Sequence, residues 1–285
     1  MVLSKSRSML AALGFATVVA MALAAARPVH AQVEVLVVDR IGEVSSSSPA
    51  PQPVATLGTL AVGSRVQLAR GASLTLLYLG SGDEYTVTGP GNALVDAGGV
   101  SASGEAVATR RAPSPDRTLQ LRSDSVVMAG LVARSGGLRV RAPEGVLTVP
   151  PARLVWESLA SRARYHVEIR DDAGVVLYEQ SGNGLSMAFP DLPLRTEQVY
   201  TWSVAPETAE GATRRAASAT FSFAPPGLRE DARRRAPVAG ATFADQLLYA
   251  LWLDDIGAQG EARQLWEALA QQRPGEQALL VRARR

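Results

Sequence analysis

Catalysis needs groups that move protons, hold metals or attack electrophiles, and this chain of 285 residues supplies few of them. It has no cysteine, so thiol chemistry and disulfide staples are both excluded. Of its two histidines, His30 lies in an apolar N-terminal stretch and His166 in Arg164-Tyr165-His166-Val167-Glu168. A lone imidazole has no second one to complete a zinc site, and no serine stands in an elbow motif that it could activate. Alternation with Tyr165 and Val167 turns His166 toward solvent together with Arg164 and Glu168. Asp171-Asp172 precede Gly174, where aspartate belongs in a hairpin turn. A calcium loop would need further acids at alternating positions. Gly89-Pro90-Gly91 lacks the spacing, the Lys-Ser/Thr ending and the following helix of a phosphate loop. It reads as a turn of unusual φ. The expectation is a chain with no catalytic residue, no cofactor and no metal.

Contact is better supplied than chemistry. Over 245–256, Leu247, Leu248, Leu251 and Trp252 share one face at helical spacing, and Gly257 ends the run. Over 261–272, Ala262, Leu265, Trp266 and Leu269 do the same, with Pro274 following. The two make an αα-hairpin. Leu247, Leu251, Trp252 and Trp266 are the candidate partner-binding residues. The same stripe is equally a face that closes an intramolecular core.

The elements that would position these groups are mostly strands. Residues 1–31 read as a secretory leader: Lys5 and Arg7, an Ala-rich apolar run over 9–26, and Val29-His30-Ala31 before Gln32. Cleavage after Ala31 is expected; retention as an anchor is the alternative, since the run approaches bilayer-spanning length. Removing Lys5, Arg7 and Arg27 from the 29 basic residues leaves 26 against 27 acids, a net charge of −1. That balance gives no electrostatic case for nucleic-acid binding. Arg110-Arg111, Arg214-Arg215 and Arg233-Arg234-Arg235 read as solvated linker charge.

Residues 33–38 read as a buried strand, and 45–53, with four serines and three prolines, as a loop. Short strands follow over 65–68, 73–79, 84–88 and 93–96, each bounded by glycine, as in a small β roll or barrel. Residues 102–142 are expected as a linker, with 123–134 either a short helix or a strand. Residues 143–224 carry period-two strands of a sandwich, 225–240 a second linker, and 241–285 the helical hairpin. The fold class expected is mainly β, with a C-terminal α-hairpin.

Three family resemblances follow from particular residues. Leu60-Ala61-Val62-Gly63-Ser64-Arg65-Val66, then Gly71-Ala72-Ser73-Leu74-Thr75-Leu76 and the Gly80-Ser81-Gly82-Asp83 turn, resemble a FecR-type periplasmic β domain over 32–101. That family's relay to a sigma factor depends on a transmembrane helix, and no segment after the leader is long and apolar enough, so the relay is not implied. Leu154-Val155-Trp156, Ala163 to Ile169, and the stretch from Leu192-Pro193-Leu194 to Tyr200-Thr201-Trp202 resemble a fibronectin type III-like domain. The resemblance implies that Trp156 packs centrally and that Leu192 and Tyr200 fix a corner. Ala250, Gly257, Ala262, Trp266 and Pro274 are similar in spacing to a single tetratricopeptide unit, with Leu269 and Gln246 departing from it. A solenoid needs about three such units.

Together these features lead to the expectation of an exported protein, periplasmic or secreted, that binds or scaffolds at the cell envelope through contacts with an envelope protein. A cell-wall polysaccharide is the alternative ligand, and an envelope hydrolase of unfamiliar type the alternative class.

Overall fold

Val35-Leu36-Val37-Val38 puts an apolar side chain at four successive positions, and a strand with no polar face must be covered on both sides. The computed structural model, which describes residues 34–47, 51–113, 137–159, 163–207 and 216–284, meets that demand with two different layers. The leader, the ambiguous segment 123–134 and Arg214-Arg215 lie outside the described residues.

The first module runs through β1 (Glu34–Ile41), β2 (Val44–Ser46), β3 (Gln52–Pro53), β4 (Thr59–Ala61), β5 (Arg65–Leu68), β6 (Ser73–Tyr78), β7 (Glu84–Thr88), β8 (Gly91–Asp96), β9 (Gly99–Gly104) and β10 (Val107–Arg111). They form two five-stranded sheets, ordered β10-β7-β6-β1-β4 and β3-β2-β5-β8-β9. Val35 and Val37 of β1 and Leu74 and Leu76 of β6 meet Val66 and Val95 of the facing sheet in one core. Leu36, Val38 and Leu77 point the other way. Tyr78 fills one end of the core, edge-on to Tyr85 at 5.4 Å. Its hydroxyl donates to the Asp96 carbonyl at 2.8 Å and reaches the Gly99 carbonyl as well. Burial, then the nearby Tyr85 and Asp96, push the Tyr78 phenol up to about 12.

Two expectations need correction here. The loop over 45–53 carries β2 and β3 at its ends, because Val44 is buried and Pro53 sits on an edge strand, where a missing N–H costs no ladder bond. The linker expected from 102 contains the end of β9 and all of β10. These are edge strands with Ser, Gly and Arg side chains, so they lack the apolar alternation by which strands are recognised.

The second module comprises β11 (Leu138–Ala142), β12 (Gly145–Leu147), β13 (Arg153–Ser158), β14 (Arg164–Arg170), β15 (Val176–Asn183), β16 (Ser186–Ala188), β17 (Val199–Pro206) and β18 (Ala217–Phe223). A sheet ordered β11-β13-β16 packs on one ordered β12-β18-β17-β14-β15. β11 also lies in the stretch expected as linker. Trp156 occupies the centre, edge-on to Tyr165 at 5.4 Å. Leu192 packs against the same core. The Tyr200 hydroxyl accepts the Arg195 N–H at 2.8 Å and donates to Gln198 Oε1 at 3.0 Å, which pins the turn before β17. The Trp202 indole N–H donates to the Pro143 carbonyl at 2.8 Å.

Four helices follow: α1 (Pro226–Arg235), α2 (Phe243–Asp255), α3 (Gln259–Gln272) and α4 (Gln277–Ala283). α1 replaces most of the second expected linker. Its Pro226 stands in the first turn, where proline is tolerated, and Arg233, Arg234 and Arg235 favour its C-terminal end. Glu230 and Asp231 pair with Arg233 and Arg234 three residues on. Thr242 caps α2, its hydroxyl accepting the Asp245 N–H at 3.2 Å. Gly257, at φ 79°, closes the turn between α2 and α3.

Replacing Tyr200 by Phe is expected to lower unfolding stability by about 1 kcal/mol, the net worth of a buried hydrogen bond. It should appear as a lower denaturant midpoint at unchanged slope; an unchanged midpoint would show that the hydroxyl does not hold the corner. For Tyr78, whose folded pKa of about 12 exceeds the ordinary 10.0, the unfolded chain loses its proton first as pH rises. The associated stability is intact below about 10 and lost as pH climbs through about 12. Unfolding free energy measured across that window should fall, and fall less steeply in Tyr78→Phe.

Candidate functional site

The four candidate partner-binding residues are all buried, Trp252 with one edge at a pocket beside the α1–α2 loop. Leu247, Leu251, Trp252 and Trp266 are 0%, 7%, 9% and 1% exposed, and they share one apolar cluster with Leu36, Val38 and Leu77 of the first module. The expectation that this stripe docks a partner is therefore corrected: the second face of β1 and β6 already covers it. Each leucine or valine so buried is worth about 1.5–3 kcal/mol. The Trp266 indole donates to Asp254 Oδ2 at 3.0 Å, and Arg282 holds the same oxygen at 2.7 Å.

Polar contacts lock the helices to both β modules. Toward the first, Arg273 grips Asp39 through two bonds of 3.1 and 3.0 Å. Glu276 pairs with Arg40 and accepts the Thr56 N–H at 3.2 Å. Toward the second, Arg263 donates to Glu144 Oε2 at 2.6 Å and to the Arg141 carbonyl at 3.1 Å. Glu261 receives the Thr148 N–H and hydroxyl at 2.7 and 2.6 Å. The Val146 N–H donates to the Gly257 carbonyl at 2.8 Å. A Cβ on Gly145 would fall 2.4 Å from that carbonyl oxygen, so this approach requires glycine.

His166 stands where its alternation put it, on the outer face of β14. Its Nε2 lies 3.4 Å from Glu179 Oε1 and its Nδ1 3.4 Å from Ser181 Oγ. The Ser181 hydroxyl donates to Glu207, which also holds Arg164 at 3.0 Å. A serine whose proton points at a carboxylate is not being deprotonated by the imidazole. The Glu179 side chain is 60% exposed, so water and salt screen the group. Asp171 forms the hairpin turn as expected, accepting the Val175 N–H at 2.8 Å. Gly89 and Gly91 sit where a Cβ would strike the Ala69 and Ser103 carbonyl oxygens, each at 2.5 Å. They allow close backbone approach and form no anion cradle. Among the described residues, no group of three or more His, Asp or Glu is placed to hold a metal ion, and no helix is long and apolar enough to cross a membrane.

A pocket of about 430 Å³ opens between the α1–α2 loop, α2 and the end of β10. That volume lies within the roughly 300–1,000 Å³ usual for ligand sites. Leu248, Tyr249 and Trp252 form its apolar side. The Tyr249 and Trp252 rings stack 5.7 Å apart, and the Arg235 guanidinium lies 5.4 Å from the Trp252 ring centre. Burial, then the Glu261 charge, raise the Tyr249 phenol to about 12, so it stays neutral. Arg111, Arg234 and Arg235 line the pocket against one carboxylate, Asp245. Arg111 reaches Asp245 at 3.4 Å and Glu84 at 3.8 Å. Val238, 77% exposed, forms an apolar lip. Arginines read from sequence as linker charge thus converge here, from segments that are more than a hundred residues apart. The two arginine clusters are legible in the sequence; their meeting is not.

No family model and no curated protein matches this chain. Among solved structures it is similar to the fibronectin(III)-like modules of Clostridium thermocellum CbhA, at 11% identity and a TM-score of 0.23, with 31% of this chain and 99% of that one covered.

Leu247→Ala is expected to cost about 2–5 kcal/mol of unfolding free energy, the usual price of truncating a leucine in a closed core. Chemical denaturation measures it; a loss under about 0.5 kcal/mol would match a solvent-facing side chain and return the stripe to the surface.

Proposed function

We propose that this chain is an exported, non-catalytic binding protein of the cell envelope. In this reading it is built from a FecR-like β module, a fibronectin type III-like sandwich and a tetratricopeptide-like helical pair. It acts through protein–protein contacts, in the periplasm or outside the cell. The leader pattern over 1–31 supports export. One observation carries the binding role: the pocket where Arg111, Arg234 and Arg235 surround an apolar side built by Leu248, Tyr249 and Trp252. A cavity with an apolar wall and a few convergent charged groups is the usual form of a binding site. The helical pair then supports that pocket: Leu248 and Trp252 of its stripe form part of the pocket wall, while Leu247 and Leu251 stay in the core.

Removing 241–285 would strip cover from Leu36, Val38 and Leu77, so point changes are the cleaner test. The mature protein and the Arg234→Gln/Arg235→Gln variant are each used to recover proteins from envelope extract. Equal denaturation midpoints with selective loss of recovered partners are expected for the variant. An unchanged set of partners would remove the pocket from the binding role. Retention on purified cell-wall polysaccharide, with no protein recovered, would replace this reading by the polysaccharide one.

A further inference from the structure

We infer that Asn183 is a site of spontaneous covalent modification: the backbone nitrogen of Gly184 attacks its side-chain amide, and the position becomes aspartate or isoaspartate. The chain has two asparagines, Asn92 and Asn183, and only the second precedes a glycine. In the reaction hydroxide takes the proton of the Gly184 N–H, and the nitrogen bonds to Asn183 Cγ. The bond from Cγ to the side-chain nitrogen breaks, and ammonia leaves with a proton drawn from water. Water then opens the cyclic imide at either carbonyl. Opening at the main-chain carbonyl gives isoaspartate, with the backbone rerouted through the side chain; opening at Cγ gives aspartate. No oxidant or reductant takes part.

The fold leaves this reaction open at Asn183 and blocks it at Asn92. Asn183 is the exposed last residue of β15, opposite Arg164 of β14. Beyond it, Gly184 and Leu185 carry the chain to β16 in the other sheet. Among the described residues, neither the Asn183 side-chain amide nor the Gly184 N–H has a hydrogen-bond partner. Gly184 has φ 94°, and apart from its chain neighbours no atom lies within 4 Å of where a Cβ would stand. The turn therefore has both the conformational freedom and the room to bring this nitrogen onto Cγ. Asn92 is exposed as well, so exposure does not separate the two. It lies in β8, paired with Gln67 of β5 on one side and Ser103 of β9 on the other. The nitrogen that would attack it belongs to Ala93, which is buried and itself paired with Val66 and Ala102. Reaching Asn92 Cγ would mean twisting a strand held along both edges. At Asn183 the products also alter their surroundings. Aspartate places a carboxylate opposite Arg164, which holds Glu207 at 3.0 Å. Isoaspartate lengthens the main chain just before Leu185, whose carbonyl accepts the Trp156 N–H at 3.0 Å.

The test is to hold the intact protein for weeks in mildly alkaline buffer, folded and in guanidinium chloride, beside the Asn183→Gln variant. Peptide mass spectrometry follows each asparagine, and an isoaspartyl methyltransferase labels isoaspartate. In the folded protein Asn183 is expected to convert at least on the order of tenfold faster than Asn92, giving isoaspartate and aspartate together. Denaturant should change the Asn183 rate little. In Asn183→Gln, whose longer side chain would have to close a larger ring, the label should fall to background. Asn183 persisting in the folded protein but converting in denaturant would show that the turn holds the amide away, and would overturn the inference. Equal rates at Asn92 and Asn183 in the folded protein would also overturn it, since the fold would then select nothing. Aspartate formed without isoaspartate would do so too, because direct hydrolysis would then replace attack by the Gly184 nitrogen. Undiminished label in Asn183→Gln would place the reaction elsewhere.

Discussion

The structure depends on β1 being apolar on both faces. Val35 and Val37 commit one face to the interior of the first β module, and Leu36 and Val38 leave the other needing cover. In water that second face would forgo several kcal/mol of burial. The helices supply the cover, and so the leucine and tryptophan stripe of α2 and α3 has a partner within its own chain. One four-residue run therefore accounts for the attachment of a helical layer that begins about two hundred residues later.

Once α2 lies on β1, the rest of the helical layer has little freedom. Arg273 and Glu276 meet Asp39, Arg40 and the Thr56 amide on one side, while Glu261 and Arg263 meet Thr148 and Glu144 on the other. Arg263 and Glu144 are both largely removed from solvent. Such a pair adds little net stability against an apolar isostere, yet losing one member is costly, so it enforces a particular docking geometry. The same geometry brings the C-terminal end of α1 toward the end of β10 and opens the arginine-lined pocket. The pocket thus follows from how the helical layer docks.

Local signals read well wherever a residue's environment repeats along the chain. The strands at 65–68 and 84–88 alternate clearly and agree with β5 and β7 residue for residue. The helices at 245–256 and 261–272 were found within two residues at each end. The turn at Asp171 and the outward His166 followed from alternation alone. Edge strands β9 and β10 escaped notice because an edge tolerates the Ser, Gly and Arg that also mark linkers. α1 escaped because Pro225-Pro226 looks like a break, although proline at a helix start costs nothing. The pocket escaped because Arg111 and Arg235 share no pattern along the chain, only a position in space.

The amino-acid order by itself determined the mainly β class, the pair of β modules and the helical C-terminal part. All of these depend on composition or on periods of two and 3.6, which any short window contains. Tertiary structure alone decided what the apolar stripe touches and where the arginines gather. An amphipathic face states that it must be buried without stating against what, since hydrophobic attraction is non-directional and the choice of partner rests on shape and on distant ion pairs.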